Sequence, residues 1–317
     1  MRQSAGAWIT FTLSAVLAAA VPCRAKDYSG EPEHLGLLGA AEESIFGDVY
    51  AEPTKWRSLS LTTFFSEGWD QAWASPVAGG GGAPRQGWLN AADGVFYRLA
   101  IGTFSWAHDG GDTYDGALRV YTPLSRRFEL RSDLPLIHST PQAGGGHHTA
   151  FGDLSLSPTF MLSESEDVSQ LAYVQMTAPT GDVESGGDIA SVTPGYEFWT
   201  NWWRGLVVRG GANLTVPYNH TGVRETGART SFLGDLAAGY YFTPHDLTPI
   251  GDLVWYVATN LTQLTDNRGP STTTVSFTPG MRTHLGANWY LLAGVEVPAT
   301  NPKPFDYKLL TGIMKVY

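Results

Sequence analysis

Residues 288–298 read NWYLLAGVEVP, and apolar side chains occupy the odd positions from Trp289 to Val297. The even face of the same stretch carries Tyr290 and Glu296. This alternation has the period of a β-strand with two unlike faces. Alternating segments of about ten residues, separated by turn residues, are typical of a transmembrane β-barrel, whose strands face lipid on one side and the lumen on the other.

The same pattern recurs from residue 94 to the end of the chain. Twelve segments follow it: 94–108, 117–122, 127–138, 151–162, 168–178, 188–199, 205–218, 229–242, 252–261, 272–283, 288–298 and 305–317. Every second connection between them is short, and the others are longer and rich in Gly, Asp, Asn and Thr. Outer-membrane barrels have short periplasmic turns, longer external loops and an even number of strands. We therefore predict an all-β fold, a transmembrane antiparallel up-and-down β-barrel of about 12 strands.

The composition excludes several other classes of protein. The 317 residues include 11 Trp, 14 Tyr and 14 Phe, and only 16% are charged, whereas disordered chains are poor in aromatic residues and rich in charge. The formal net charge of −10 argues against a nucleic-acid partner, because nucleic-acid binding needs a basic face. The single cysteine, Cys23, excludes a disulfide framework and a cysteine-based zinc site.

The N-terminal residues have the features of a secretory signal peptide. Arg2 supplies a positive charge, residues 8–21 are mostly apolar, and small residues precede a predicted cut after Ala25. We expect residues 1–25 to be removed on export. This predicts that the mature chain reaches the outer membrane of a Gram-negative-type bacterium.

Residues 26–93 do not join the alternating pattern. An Ala/Glu-rich stretch at 35–50 is compatible with a short helix, and residues 57–65 resemble one strand. One additional strand would give an odd count, which barrels of this kind avoid. We predict an N-terminal periplasmic extension or lumen plug over 26–93, followed by the barrel over 94–317, with a 14-stranded barrel as the alternative.

The polar faces of the predicted strands carry a set of charged residues. Charged side chains cost about 2–4 kcal/mol at the middle of the lipid face, so their placement on one face assigns them to the lumen. The candidate lumen-lining residues are Arg98, Arg119, Glu129, Arg131, Asp133, Asp153, Glu197, Arg209, Asp235, Arg282 and Glu296. Such residues could set the selectivity of a pore, or they could pair with one another and close the barrel.

The sequence offers little evidence for catalysis. His138 precedes two hydroxyl residues, Ser139 and Thr140, which is compatible with a lipid hydrolase of the barrel type. A third residue to orient the histidine is not evident, and no metal cluster or cofactor-binding motif is legible. We expect a protein that is not an enzyme, with no metal and no cofactor.

Three stretches resemble a known family. These are Gly-Asp-Leu at 152–154, Ala-Pro-Thr-Gly-Asp at 178–182 and TPLSRRFEL at 122–130. They resemble outer-membrane proteins of the meta-pathway phenol-degradation transporter type, over residues 94–317. The resemblance implies a β-barrel that passes small, often hydrophobic or aromatic, molecules, and it implies no catalytic residue.

These observations favour an outer-membrane channel or transporter that lets small solutes pass through a charged lumen. A closed barrel with a structural role in the envelope is the alternative. The expected partners are outer-membrane lipid, small-molecule solutes and the barrel-assembly machinery, which recognises C-terminal aromatic residues such as Tyr317.

Overall fold

The computed structural model describes residues 33–50, 56–76, 83–142, 144–185, 187–266, 269 and 272–317. The predicted signal peptide, residues 1–25, lies outside these ranges. Within them the chain is mostly β-sheet, with the short helices α1 (Gly36–Phe46) and α2 (His220–Thr226). No helix in this part of the chain is both long and apolar enough to cross a membrane.

The strands follow one another along the described chain. They are β1 (Leu99–His108), β2 (Asp112–Pro123), β3 (Phe128–Pro141), β4 (His147–Ala150), β5 (Ser155–Glu164), β6 (Val168–Thr177), β7 (Ser191–Trp203), β8 (Leu206–Pro217), β9 (Ser231–Tyr241), β10 (Gly251–Leu264), β11 (Thr273–Gly286), β12 (Trp289–Pro298) and β13 (Tyr307–Val316).

The sheet closes on itself as an antiparallel barrel. Neighbouring strands pair in chain order, β13 pairs with β1, and β3 pairs with both β2 and β5. Only β4 stands apart from the ring, as an added short strand on the outer end of β3. The closed ring therefore has twelve strands, so the predicted barrel is confirmed and the 14-stranded alternative is wrong.

The two faces of the strands differ as the alternation predicts. On β12 the side chains of Trp289, Leu291 and Val297 are about 40% exposed on the outer surface, whereas Tyr290 and Leu292 are buried inside. An exposed apolar outer belt with a polar or packed interior suits a bilayer, in which lipid replaces water around the barrel.

Lys315 is a charged residue on the outward side of β13. Its Nζ atom donates a hydrogen bond of 2.6 Å to the carbonyl of Ala287 in the β11–β12 turn and lies 5.5 Å from the ring of Trp289. The long side chain therefore reaches the rim of the barrel, where its charge avoids the apolar belt.

The predicted alternation of short periplasmic turns and longer external loops has exceptions. The external β1–β2 connection is only three residues long, because β2 begins at Asp112 and not near residue 117. Thr113 and Asp115 pair with residues of β1 and so lengthen the hairpin. The β9–β10 turn at the opposite end is longer than this loop.

The region before the barrel is folded against its periplasmic end. The helix expected within 35–50 is confirmed as α1. The strand expected over 57–65 is wrong, because this stretch contains a 3₁₀ helix (Leu61–Thr63) and a single bridge between Leu59 and Glu164. A strand there would have no free sheet edge, because every strand of the closed ring has two neighbours.

Candidate functional site

Residues 83–98, called here the interior segment, run through the lumen of the barrel. The Tyr241 hydroxyl on β9 donates to the Pro84 carbonyl, and the Tyr256 hydroxyl on β10 accepts from the Leu89 N–H at 2.9 Å. Asn90 Nδ2 donates to Thr278 on β11. Further contacts reach β3, β7 and β12, so the segment is bonded to strands all around the ring and must lie inside it.

Three carboxylates of the wall accept backbone N–H groups of the interior segment. Asp235 accepts from Ala92 at 2.7 Å, Glu197 from Gly94 at 3.1 Å, and Glu129 from Tyr97 at 2.6 Å. These three were expected to line the lumen. Hydrogen bonds to ionised acceptors are short and strong, so each carboxylate fixes one point of the segment's backbone.

Two buried arginines of the wall hold the start of the same segment. The guanidinium of Arg209 donates to the Gln86 carbonyl at 2.7 Å and lies 4.4 Å from the ring of Trp88. Arg282 donates to the Gln86 side-chain oxygen, and the Gln86 amide donates to the Tyr290 hydroxyl at 2.9 Å. Both arginine side chains are fully buried, so the segment excludes water from these two guanidinium groups.

Arg131 is the centre of an ion-pair cluster. Its guanidinium lies 2.7 Å from Glu129, 3.0 Å from Glu197 and 3.6 Å from Asp93 of the interior segment. It also lies 5.4 Å from the ring centre of Tyr121. The cluster holds one guanidinium among three carboxyl groups, two from the wall and one from the interior segment.

Three other predicted residues make contacts on the wall itself. Arg119 on β2 pairs with Asp133 on β3 at 2.7 Å, with both side chains partly exposed. Glu296 on β12 accepts a hydrogen bond of 2.5 Å from the Ser276 hydroxyl on β11. Arg119 and Asp133 also line a cavity of the lumen, whereas Glu296 is buried.

Arg98 ends the interior segment just before β1. Its side chain donates to the C-terminal main-chain oxygen of Tyr317 and to the Gly47 carbonyl, the latter at 2.8 Å. It therefore ties the last strand and the end of α1 to the base of the segment. This residue joins the N-terminal region to the barrel.

Asp153 stands in the coil before β5 and organises the β6–β7 loop. One carboxylate oxygen accepts from the N–H groups of Gly181 and Asp188 at 2.7 and 3.0 Å, and the other accepts from Ile189 at 2.9 Å. Three backbone donors on one carboxylate fix the position of this loop beside the start of β5.

We expect Asp153→Ala to loosen this loop while the barrel stays folded, because three N–H groups lose their acceptor at a cost of about 2 kcal/mol for local opening. Limited proteolysis of the folded protein should then cut within 179–187 faster than in the parent. Asp153→Asn keeps one acceptor oxygen, so its cleavage rate should lie between those of the parent and Asp153→Ala. Equal cleavage of all three proteins would contradict this role.

Three cavities lie along one side of the interior segment. The upper one, about 160 Å³, and the next, about 50 Å³, share the lining residues Asp93, Arg119 and Tyr121. The lowest, about 310 Å³, shares Tyr97 and Leu99 with the small one. Together they form a chain of spaces next to β1 and β2, and the cavity between the other two has the smallest volume.

Aromatic residues line the smallest cavity. Tyr97 and Tyr121 meet edge to face with ring centres 5.4 Å apart, and the Tyr121 hydroxyl donates to Asp93 at 2.9 Å. The lumen charges were identified from the sequence but Tyr121 was not, although it has the same strand parity as Arg119. Tyr97 falls in the first predicted strand, 94–108, on the face opposite to the lumen candidate Arg98, so the alternation directed it away from the lumen.

Arg85 anchors the beginning of the interior segment at the periplasmic end. Its guanidinium pairs with Glu164 at 2.6 Å, and both side chains are almost completely buried. Burial lowers the pKa of Arg85, and the nearby Glu164 carboxylate opposes that effect. The pair is therefore a buried ion pair, in which each partner compensates the other's lost hydration.

His138, the residue weighed for catalysis, lies at the external end of β3. Its Nδ1 atom is 2.5 Å from Asp115, whose other carboxylate oxygen accepts from the Ser105 hydroxyl at 3.0 Å. The carboxylate therefore stands between the imidazole and this hydroxyl. Within the described ranges, no group of three or more His, Cys, Asp or Glu residues is arranged to hold a metal ion.

Several solved structures are similar to this chain. The COG4313 outer membrane channel from Pseudomonas putida F1 is similar with a TM-score of 0.54 and 14% identity, covering 73% of this chain and 99% of that one. The KdgM porin is similar with a TM-score of 0.46 and 9% identity, covering 68% and 99%. The CymD monoaromatic hydrocarbon channel has a TM-score of 0.39 and 9% identity, covering 76% and 98%. No curated protein sequence matches the chain.

A family model covers most of the barrel and the interior segment. The family described as "Putative MetA-pathway of phenol degradation" matches residues 78–301, well over half of the chain. The match includes the three stretches that suggested the resemblance, and it extends into the N-terminal region that the resemblance did not cover. The chain belongs to this family of phenol-degradation MetA-pathway proteins.

Proposed function

We propose that the protein is a passive outer-membrane channel for small solutes, and that solutes pass along the interior segment next to β1 and β2. The observation that carries the proposal is the chain of three cavities, in which neighbours share lining residues. The smallest cavity, at Tyr97 and Tyr121, is where solutes of different size would be discriminated. In this proposal the interior segment is a lumen plug.

The solutes that fit this path are small and hydrophobic or aromatic. The lowest cavity, at about 310 Å³, has the size of a small-molecule site, and its aromatic lining includes Tyr50, Trp73 and Tyr290. Planar rings pack favourably against such walls. Current blockade by 4-hydroxybenzoate should exceed blockade by cyclohexanecarboxylate of equal charge, and equal blockade would remove the aromatic preference.

The architecture and the similarity to an outer membrane channel support an outer-membrane location. An exposed apolar belt needs lipid, and the fold is shared with an outer membrane channel. Tyr317 is partly exposed at the periplasmic end, where the barrel-assembly machinery would meet it. We place the protein in the outer membrane, as a channel and not as an enzyme.

A closed envelope barrel is the second candidate, and one observation favours it. The interior segment and the Arg131 cluster fill part of the lumen with paired charges. Purified protein in proteoliposomes distinguishes the two candidates. Arabinose flux above that of empty liposomes supports the channel, and its absence together with silent planar bilayers supports the closed barrel.

A disulfide can test whether the interior segment must move. A Cβ atom on Gly211 of β8 would lie 3.1 Å from the Cβ of Ala92, slightly closer than the usual disulfide spacing of about 3.8 Å. The double variant Ala92→Cys, Gly211→Cys can therefore close after a small shift. If solutes pass beside a fixed segment, oxidation should leave the flux unchanged and reduction should have no effect.

Tyr121→Ala should raise single-channel conductance, because a large side chain that lines the smallest cavity is removed. Tyr121→Phe should change conductance little, since the ring stays and only the hydrogen bond to Asp93 is lost. Planar-bilayer recordings of the three proteins provide the comparison. An unchanged Tyr121→Ala conductance would exclude this wall of the lumen as the path.

A further inference from the structure

A stretch of the N-terminal region lies on the outside of the barrel. Residues 59–69, called here the rim segment, begin where Leu59 and Glu164 exchange two backbone hydrogen bonds of 2.8 and 2.9 Å. This point is beyond the pairing of β3 with β5, which ends at Phe128 and Phe160. The rim segment therefore continues the wall of the barrel at its periplasmic edge.

Aromatic contacts connect the rim segment with the outer face of the barrel. Trp69 lies 6.3 Å from Phe160 and 5.5 Å from Phe64, measured between ring centres. Phe160 is on the outward face of β5 and lies 5.5 Å from Phe128 of β3. The apolar belt of the barrel is thus continuous with the rings of the rim segment.

The rim segment presents further apolar side chains that the protein does not cover. Phe65 is 92% exposed and Leu61 is 59% exposed. An exposed phenylalanine beside a lipid-facing belt is costly in water but favourable at the membrane interface, where aromatic side chains concentrate.

A buried arginine holds the rim segment in this position. The guanidinium of Arg127 donates to the carbonyls of Ser60 and Glu67 at 2.8 and 2.9 Å, and to the Met161 carbonyl of β5 at 2.9 Å. It also lies 5.4 Å from the ring of Phe64. One side chain therefore links both ends of the rim segment to the barrel wall.

The polar groups of the rim segment find partners within it. The Trp69 indole N–H donates to the Phe64 carbonyl at 2.6 Å, and the Thr63 hydroxyl donates to the Glu67 carboxylate at 2.7 Å. Backbone N–H groups of four residues donate to carbonyls inside the segment. Because these hydrogen bonds are made within the rim segment, its transfer from water to the lipid interface costs less free energy.

We propose that the rim segment is an interfacial membrane anchor, with Phe65 and Leu61 inserted among the phospholipids of the periplasmic leaflet. Continuity with the lipid-facing belt identifies lipid as the occupant. The interior segment begins at residue 83, eighteen residues after Phe65, so the anchor holds the chain at the periplasmic edge shortly before it enters the lumen.

A spin label at Phe65 tests the proposal on the full chain in phospholipid vesicles. The label is attached to Phe65→Cys in a Cys23→Ser background, since Cys23 is the only cysteine. Val257→Cys on the outer face of β10 is the lipid reference, and Arg224→Cys on α2 is the water reference. We expect the Phe65 label to collide with oxygen more than with a water-soluble nickel complex, as at Val257.

Two results would overturn the anchor. A Phe65 label with the nickel accessibility of the Arg224 label would place the segment in water. Strong dipolar broadening between labels at low protein density would show that a second copy of the chain covers the segment. Because Phe65 is exposed, its substitution should leave the heat-modifiable gel mobility of the folded barrel unchanged, which is the control for folding.

Discussion

Deletion of residues 26–93 is expected to convert a low-conductance barrel into a wide pore. The deleted stretch includes most of the interior segment, in which the Ala92 N–H occupies Asp235 of the wall and the Gln86 carbonyl occupies Arg209. In the deletion variant these charged groups would be hydrated by water entering the lumen, so the barrel loses its filling without gaining unsatisfied charges. Single-channel conductance in planar bilayers should rise several-fold.

A second variant tests the same prediction in case the deletion variant fails to assemble. Trp88 stacks on Tyr256 of β10, with ring centres 4.7 Å apart and planes within 7°. Trp88→Ala removes that contact and should weaken docking of the interior segment by about 3–5 kcal/mol. Its conductance should lie between the parent and the deletion variant. If both variants are heat-modifiable and conduct like the parent, the interior segment does not obstruct the lumen.

The barrel could be predicted from the sequence because each strand repeats one physical rule. Lipid on one side and the lumen on the other impose a period of two on the residues, and β12 shows it over its full length. Strand ends were less predictable, because polar residues such as Asp112 and Thr113 are common both in loops and at the ends of hairpins. Only the continued pairing with β1 places them in a strand.

The interior segment could not be predicted by the same rule. Its backbone bonds go to side chains of distant strands, as when Ala92 donates to Asp235, and such contacts leave no local period. The sequence did place Asp235 and Glu197 on one face of their strands. It could not show that their partners are N–H groups of residues 83–98, since this requires the closed barrel to be known.

Glu164→Ala is expected to destabilise the protein more than any other single change at the periplasmic end. Arg85 would remain buried without its partner, stacked 4.8 Å from the ring centre of Trp199. An uncompensated buried charge costs about 3–5 kcal/mol. The Trp56 indole N–H, which donates to the same carboxylate at 3.0 Å, would also lose its acceptor. Urea unfolding in lipid vesicles should show the loss as a lower midpoint.

Two further variants separate the contribution of the charge at Glu164 to stability from that of its hydrogen bonds. Glu164→Gln keeps an acceptor for Trp56 and should recover part of the loss. The double variant Arg85→Met, Glu164→Leu removes both charges and fills similar volume, so its stability should exceed that of Glu164→Ala, because buried ion pairs are often replaceable by apolar residues. A double variant as unstable as Glu164→Ala would mean that the remaining Arg85 bonds, such as that to the Glu166 carbonyl at 3.1 Å, hold the interior segment and that the ion pair does not.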